Sequence, residues 1–218
     1  TGLDAPWSIV PLSGGGALIS QRDDGAIQQL TTAGDVRHVG TVPGVASGGE
    51  AGLHGLALWS VAGTDWLYAY FGSQDDNRVV RMPLGGAADA VSLGEPEEIL
   101  TGIPRANTHN GGRIALGPDG YLYVATGDAQ QRDAAQDAAS LSGKILRLTP
   151  EGAPAPGNPF DSLVYSLGHR NVQGLAHRTD GVDQMWSVEH GPSRDDEINR
   201  IIGGTNYGWS PTPGYNES

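Results

Sequence analysis

The sequence feature that most constrains the fold is a two-strand unit that recurs along the chain. In each copy an alternating apolar segment reaches a turn and continues into a second strand that ends in polar residues. The four copies begin at Trp7, Gly55, Arg113 and Gly174. In the clearest copy, residues 113–116 and 121–125 flank a Gly-Pro-Asp-Gly turn at residues 117–120. Outer strands are expected between the copies, at residues 78–84, 144–148 and 163–167.

The spacing of these units favours a β-propeller. The units recur about every 50 to 60 residues, slightly longer than common propeller blades. Their polar ends fall at equivalent positions, namely Arg22 with Asp23, Gly127 with Asp128, and Glu189 with His190. Loops on one face of a propeller converge on its axis, which would gather these ends. A β-sandwich of independent hairpins is the alternative.

Glycine and proline support an all-β chain with many turns. The 218 residues include 34 glycines and 14 prolines, and few stretches without them could hold a long amphipathic helix. Residues 85–90 and 152–157 are rich in glycine, alanine or proline, and we interpret them as loops between strands. We therefore expect one β-propeller domain over residues 1–218.

Charge and cysteine content exclude several function classes. Thirteen basic and 25 acidic residues give a net charge of −12, which disfavours nucleic acid and anionic membranes as partners. We expect no membrane insertion, because no run approaches the roughly 18 apolar residues that span a bilayer. The chain starts at Thr1 without a leader, and we expect a processed chain. The absence of cysteine excludes thiolate chemistry, so any metal needs oxygen or imidazole ligands.

A histidine and an aspartate stand at opposite ends of one predicted hairpin. His109 precedes two glycines that allow close approach to a ligand, and Asp128 follows the second strand. An imidazole oriented by a carboxylate can act as a general base. The alternative is an ordinary histidine in a surface loop.

Two later motifs offer ligand groups. Arg170 and Asn171 follow an expected strand, where a guanidinium and an amide suit a carboxylate or quinone oxygen; an internal ion pair is the alternative. The Gly191-Pro192 turn can aim two carbonyl oxygens at a hard cation. Further oxygen ligands come from Asp195, Asp196, Glu197 and Asn199. The EF-hand pattern is missing, and a hydrated acidic loop is the alternative.

The ordered motifs resemble one enzyme family. They read GEAGLHGLAL, HNGGRIALGPDGYLYVATGD, LSGKILRLTPEG, YSLGHRNVQGLA, EHGPSRDDEIN and NYGW. This set resembles the soluble pyrroloquinoline quinone (PQQ)-dependent sugar dehydrogenases, in particular the aldose sugar dehydrogenase and glucose/sorbosone dehydrogenase group. The resemblance extends from Gly2 to about Tyr215.

The resemblance implies a fold and a reaction. The family is a six-bladed β-propeller with PQQ over the central axis. It implies that His109 takes the proton of the anomeric hydroxyl while hydride passes from C1 of an aldose to the quinone, which gives a lactone. Asp128 would hold the histidine, Arg170 would stabilise charge on the quinone oxygen, and Asn171 would hydrogen-bond the cofactor.

The resemblance also implies metal sites. Gly191 and Pro192 match positions whose carbonyl oxygens bind the calcium ion that ligates PQQ and polarises it. Glu197 and Tyr207 resemble a pair that binds a second, structural calcium in some members. Glu50 falls where relatives place a glutamate or glutamine near the cofactor.

The chain departs from the family in length. The family supplies further lysine and arginine contacts to PQQ after the NYGW segment, whereas this chain ends at Ser218 with about four blades. We expect the N-terminal portion of a longer propeller, although a closed four-bladed ring is an alternative. The resemblance implies a periplasmic or secreted enzyme that oxidises aldose mono- or oligosaccharides and passes electrons to an acceptor. The rival functions are a calcium-dependent propeller lactonase and a non-catalytic carbohydrate-binding propeller.

Overall fold

The computed structural model of the chain describes residues 2–178 and 180–209, so the end of the resemblance near Tyr215 lies outside it. The chain divides into two compact units, residues 1–102 and 103–218. The strands of the first unit are β1 (Pro6–Pro11), β2 (Ala17–Gln21), β3 (Ala26–Leu30), β4 (Val36–Thr41), β5 (Leu53–Val61), β6 (Thr64–Gly72), β7 (Asn77–Ala87), β8 (Ala90–Leu93) and, up to the boundary, β9 (Glu97–Ile103). Those of the second are β10 (Gly111–Leu116), β11 (Leu122–Thr126), β12 (Lys144–Leu148), β13 (Val164–Leu167), β14 (Val172–Arg178), β15 (Gln184–Glu189) and β16 (Glu197–Ile201).

Each sheet is an antiparallel meander in which neighbours in sequence pair. The first unit holds the sheets β1-β2-β3-β4 and β5-β6-β7-β8, with β9 paired to β7. The second holds β10-β11-β12-β13 and β14-β15-β16. Such up-and-down sheets are the blades from which β-propellers are built. The expectation of one domain over residues 1–218 stays a prediction.

Apolar residues on the inner strands explain why the sheets pack. In the first unit the core gathers Leu18, Ile27, Leu53 and Leu67, all fully buried. Burying each such side chain contributes about 1.5 to 3 kcal/mol, before the entropy of ordering it is counted. The second unit packs Tyr123, Ile145, Met185 and Ile201 together. Strands β11 and β12, which lie between β10 and β13 in their sheet, are buried along their whole length.

The third predicted unit matches the structure closely. Strands β10 and β11 pair in the register Ile114 with Val124, Ala115 with Tyr123 and Leu116 with Leu122. The turn closes through the Gly117 N–H, which donates to the Tyr121 carbonyl at 2.9 Å. The outer strands expected at residues 78–84, 144–148 and 163–167 correspond to β7, β12 and β13.

One predicted loop was wrong. Residues 85–90 form most of a hairpin, in which the end of β7 pairs with β8 and Gly86 opposes Val91. Glycine and alanine have low strand propensity, so the local sequence hid a pairing that the ladder itself stabilises. Residues 152–157 lie between strands, as predicted.

Helical structure is slight in the described residues. A single-turn 3₁₀ helix covers Arg132–Gln136, in the connection between β11 and β12. No helix in the described part of the chain has the length and apolar character needed to cross a membrane.

Candidate functional site

The β10–β11 hairpin brings His109 and Asp128 together. Antiparallel pairing returns the chain to its starting edge, and Nδ1 of His109 lies 2.8 Å from Oδ1 of Asp128. The Asp128 side chain is fully buried, whereas that of His109 is 18% exposed. A carboxylate oxygen can only accept, so this contact places the proton on Nδ1 and leaves Nε2 as the basic ring nitrogen.

The backbone around this pair leaves no room for a side chain at Gly127. A Cβ there would lie 1.8 Å from the carbonyl oxygen of His109. The same carbonyl accepts the N–H of Ala129 at 3.1 Å. His109 itself has φ of 60°, a left-handed conformation that costs free energy for a non-glycine residue. The surrounding hydrogen bonds therefore hold the histidine in a strained backbone position.

The buried carboxylate of Asp128 is satisfied by N–H donors. Oδ1 also accepts the backbone N–H of Gln130 at 2.8 Å. Oδ2 accepts the indole N–H of Trp209 at 2.7 Å. A buried charge needs such partners because it has lost its water shell. Trp209 belongs to the NYGW motif, but sequence reasoning assigned it no role.

The GHRN turn, residues 168–171, lies beside this pair. The Asp128 N–H donates to the Arg170 carbonyl at 2.7 Å, and Gly127 forms an isolated antiparallel bridge with Asn171. The side-chain Oδ1 of Asn171 accepts the N–H of Gly111 at 3.0 Å. The structure therefore brings Arg170 and Asn171 to the same rim as His109 and Asp128, and Asn171 supports the hairpin with its amide oxygen.

The guanidinium of Arg170 has one N–H group with a hydrogen-bond partner and another with none in the described residues. Its Nη1 donates to the His190 carbonyl at 3.0 Å. Its guanidinium carbon lies 5.5 Å from the ring centre of Trp209. Its Nε is buried without a hydrogen-bond partner in the described residues. Buried N–H groups almost always have partners, so this donor is consistent with a ligand that is not part of the chain.

Glu189 holds the GHRN turn through hydrogen bonds to its backbone. Its Oε1 accepts the backbone N–H groups of Arg170 and Asn171. Its Oε2 lies 2.9 Å from Nδ1 of His169, whose Nε2 lies 2.9 Å from Oγ of Ser166. This serine–histidine–acid array resembles that of a hydrolase, but its members are at most 5% exposed. A substrate cannot reach the serine, and we assign the array a structural role.

A cavity of about 50 Å³ lies next to Arg170. Its lining includes all four residues predicted to bind metal, which are Gly191, Pro192, Glu197 and Tyr207. Glu189 and Asp195 add carboxylates to the same walls. The structure thus gathers the predicted metal positions around one acidic space, although their role as ligands stays a prediction.

Carbonyl oxygens crowd the Gly191 position. A Cβ there would lie 2.1 Å from the Arg194 oxygen and 2.5 Å from the Asp195 oxygen. Asp195 reaches this arrangement with a left-handed φ of 65°. Carbonyl and carboxylate oxygens are the donors that calcium prefers. In the described residues no three His, Cys, Asp or Glu side chains converge as a metal site.

The side chains of Glu197 and Tyr207 already have partners. Oε2 of Glu197 accepts the Asn199 amide at 2.7 Å. The Tyr207 hydroxyl donates to the Arg200 carbonyl at 2.6 Å and accepts the Ile202 N–H at 2.9 Å. Burial raises the pKa of Tyr207, so its phenol stays neutral at ordinary pH.

Glu50 lies in the first compact unit, in the loop before β5. It is half-buried, and its backbone carbonyl lies 2.8 Å from Nε2 of His54. The pKa of Arg22 is raised by its hydrogen bond to Asp23 and, to a smaller extent, by the charge of Glu50.

A buried lysine supports the loop that follows Asp128. Lys144 is fully buried. Its Nζ donates to the carbonyls of Ala134 at 2.8 Å, Ala135 at 3.0 Å and Ser142 at 2.6 Å. Burial lowers the pKa of Lys144 to about 8. Sequence reasoning read this residue as part of an outer strand and could not foresee that it ties the loop together.

Known proteins match this chain in sequence. The sequence model of the family described as Glucose / Sorbosone dehydrogenase matches residues 3–217. The chain is 33% identical to the aldose sugar dehydrogenase YliI of Escherichia coli (strain K12), over 95% of this chain and 59% of that protein. It is 36% identical to the quinoprotein glucose dehydrogenase B of Acinetobacter calcoaceticus, over 58% of this chain and 31% of that protein.

Solved structures match it in fold. The PQQ-bound aldose sugar dehydrogenase of Streptomyces coelicolor superposes with a TM-score of 0.91 at 47% identity, covering 100% of this chain and 66% of that one. The apo form of the soluble aldose sugar dehydrogenase of E. coli gives a TM-score of 0.82 at 30% identity, covering 95% and 63%. The predicted all-β propeller class is confirmed. The chain spans less than two thirds of the length of the relatives named here.

Proposed function

Because the chain belongs to the glucose/sorbosone dehydrogenase family, we propose that its protein oxidises aldose sugars at C1 to lactones with PQQ as the hydride acceptor. The observation that carries this proposal is the His109–Asp128 pair, which lies on the same rim as Arg170. Because a carboxylate can only accept, the pair favours the tautomer with the proton on Nδ1. The names of the quinoprotein glucose dehydrogenase and the PQQ-bound aldose sugar dehydrogenase support the cofactor.

The residues present suit a quinone cofactor that carries carboxylates. Arg170 offers a cation with a buried N–H that has no partner in the described residues. We propose that Arg170 and Asn171 hold the cofactor, and that Glu50 is a further cofactor-binding residue, as the resemblance of the sequence motifs implies. When bound, PQQ supplies the two-electron acceptor that the side chains of this chain lack.

In this proposal the pair acts as a general base. Nε2 of His109 accepts the proton of the anomeric hydroxyl, and the C1–O bond becomes a carbonyl as the C1 hydrogen leaves with its electron pair. Asp128, at 2.8 Å, stabilises the imidazolium that forms. Arg170 stabilises negative charge that develops on the acceptor.

We propose that the acidic cavity binds calcium. The carbonyl oxygens of Gly191 and Pro192 would face the ion that ligates PQQ, and the carboxylates of Glu189 and Asp195, which line the same cavity, support an oxygen donor set there. Glu197 and Tyr207 line the same space and are proposed for a second, structural ion. A bound divalent cation would also offset the charge of Glu189 and Asp195.

The family also suggests the substrate, the electron acceptor, the location and the domain organisation of the protein. We propose aldose mono- or oligosaccharides as substrates, a separate electron acceptor, a periplasmic or secreted location and a single propeller domain. An acidic protein of net charge −12 suits neutral sugars better than polyanions.

The test uses the full-length protein that contains this chain. Apo protein is titrated with PQQ in the presence and absence of calcium, an aldose is added, and the reduced cofactor is followed by absorbance. We expect saturable PQQ binding, bleaching by the sugar and dye reduction. The His109→Asn variant should bind PQQ, but its kcat should fall at least about 100-fold, because a general base usually contributes a rate factor of this size.

A matched control separates the base from histidines in general. His177 lies on β14, where its Nε2 is 3.7 Å from Asp183, and His177→Asn should keep its activity. Full turnover by His109→Asn would refute the assigned base. Lactone hydrolysis that is insensitive to PQQ would indicate a calcium-dependent lactonase instead. Sugar binding without quinone binding would indicate a carbohydrate-binding propeller.

A further inference from the structure

We propose that Trp209 is a positioning residue for the proton-accepting pair, a role that rests on the proposed function. Its indole N–H donates to Oδ2 of Asp128 at 2.7 Å. The contact joins residues that are 81 positions apart in the sequence. Trp209 therefore acts on His109 through the carboxylate between them.

The geometry of Asp128 shows why this donor matters. Oδ1 is held by His109 and Gln130, whereas Trp209 is the donor to Oδ2 in the described part of the chain. The terminal torsion of an aspartate has a broad energy well, so a third contact, on the second oxygen, narrows the rotation of the carboxylate plane that the two contacts on Oδ1 still allow. The indole fixes that plane and keeps Oδ1 aimed at Nδ1 of His109.

Trp209 is itself held firmly enough to serve as an anchor. Its backbone N–H donates to the Gly168 carbonyl at 2.9 Å, and the backbone N–H of Tyr207 donates to the Leu167 carbonyl at 2.9 Å, so the segment extends along the end of β13. Asn206 and Gln136 exchange amide hydrogen bonds at 2.6 and 3.1 Å. These contacts hold the backbone from which the indole projects toward Asp128.

The face of the same ring orients cations. The guanidinium carbons of Arg170 and Arg132 lie 5.5 and 5.2 Å from the ring centre of Trp209. Cation–π attraction favours this placement. The Trp209 ring thus contacts the Asp128 carboxylate through the N–H at its edge and the Arg170 guanidinium through its face.

The test removes the N–H and keeps the ring. Trp209 is replaced with 3-benzothienylalanine, in which sulfur takes the place of the indole N–H, in the full-length protein. The nitrogen chemical shifts of the His109 ring report its tautomer. We expect the wild type to hold the proton on Nδ1, and the substituted protein to show a mixture of tautomers.

The kinetic expectation is a selective loss of rate. With PQQ bound, kcat should fall about tenfold, a part of the roughly 100-fold or more that general-base catalysis contributes. The KM for the sugar should change less than about twofold, because the ring still faces Arg170 and Arg132. The 5-fluorotryptophan protein, which keeps the N–H, should match the wild type in tautomer and rate.

A control variant tests for effects of losing another indole donor that is partly buried. Trp186 donates to Gln184 at 3.2 Å on β15, and Trp186→Phe should leave the His109 tautomer unchanged. An unchanged tautomer together with unchanged kcat in the sulfur isostere would overturn the proposal. If the wild type does not oxidise sugars, the proposed function fails, while the tautomer measurement still decides whether Trp209 positions the pair.

Discussion

Replacing Asp128 with asparagine keeps the shape of the side chain and removes one acceptor from a buried cluster of donors. The carboxylate accepts N–H groups from His109, Gln130 and Trp209 at 2.7 to 2.8 Å. An amide has only one acceptor oxygen, so in either orientation its NH₂ group faces an N–H donor. If the NH₂ group faces His109, the ring must accept at Nδ1 and carry its proton on Nε2, where it cannot act as a base.

The expected magnitudes follow from these contacts. One unsatisfied buried donor costs about 1 to 3 kcal/mol of stability, which corresponds to a fall in Tm of several degrees. Loss of the base, or of the charge that stabilises its protonated form, should lower kcat by about 100- to 10,000-fold. PQQ affinity should change little, because Arg170 and its carbonyl contact with His190 remain.

The measurements are dye reduction at saturating PQQ, PQQ titration by absorbance, and thermal unfolding followed by circular dichroism. Asp180→Asn is the matched control, because Asp180 forms an exposed ion pair with Arg178 and such pairs contribute little. The reasoning would be refuted if Asp128→Asn kept more than a third of the wild-type kcat. It would also be refuted if the variant lost PQQ binding together with activity at an unchanged Tm.

Three further perturbations test the support of the site. Gly127→Ala places a Cβ 1.8 Å from the His109 carbonyl oxygen, so this variant should lose far more activity and stability than Gly120→Ala. The Cβ of Gly120→Ala meets nothing within 4 Å, and the positive φ at this position costs about 1 kcal/mol. Equal decreases in Tm and in kcat for the two variants would contradict this expectation. Glu189→Gln should weaken PQQ binding and lower Tm by several degrees, because an amide cannot accept from both His169 and the GHRN backbone; unchanged calorimetric affinity and Tm would count against it. Burial lowers the pKa of Lys144 from 10.5 to about 8. Between these two pH values the unfolded chain binds more protons than the folded chain, so the free energy of unfolding should increase as the pH rises, by at most about 3 kcal/mol. Urea unfolding at pH 7.5 and 9.5 should show this increase in the wild type and not in Lys144→Met. A free energy of unfolding that decreases with pH in the wild type alone would contradict the expectation.

Local sequence predicted the hairpin strands because alternation and turn chemistry act over few residues. The Gly-Pro-Asp-Gly turn sets the register of β10 and β11, and that register carries His109 and Asp128 to one edge. The hairpin at residues 85–90 was missed, since glycine and alanine give no local signal for a strand. Arg170 and Gly191 were candidates from their residue types, but their roles were assigned by resemblance, because a guanidinium or a turn by itself fits many roles.

The sequence by itself therefore determined the repeating strands, the acidic charge and the pairing of two residues across one hairpin. Tertiary structure alone decided that Trp209 reaches Asp128, that Glu189 anchors the GHRN turn and that the predicted metal positions share one cavity. The physical reason is that these contacts depend on how sheets and loops pack. Asp128 and Trp209 are 81 positions apart, and no local pattern of residue types encodes which side chains the packing brings together.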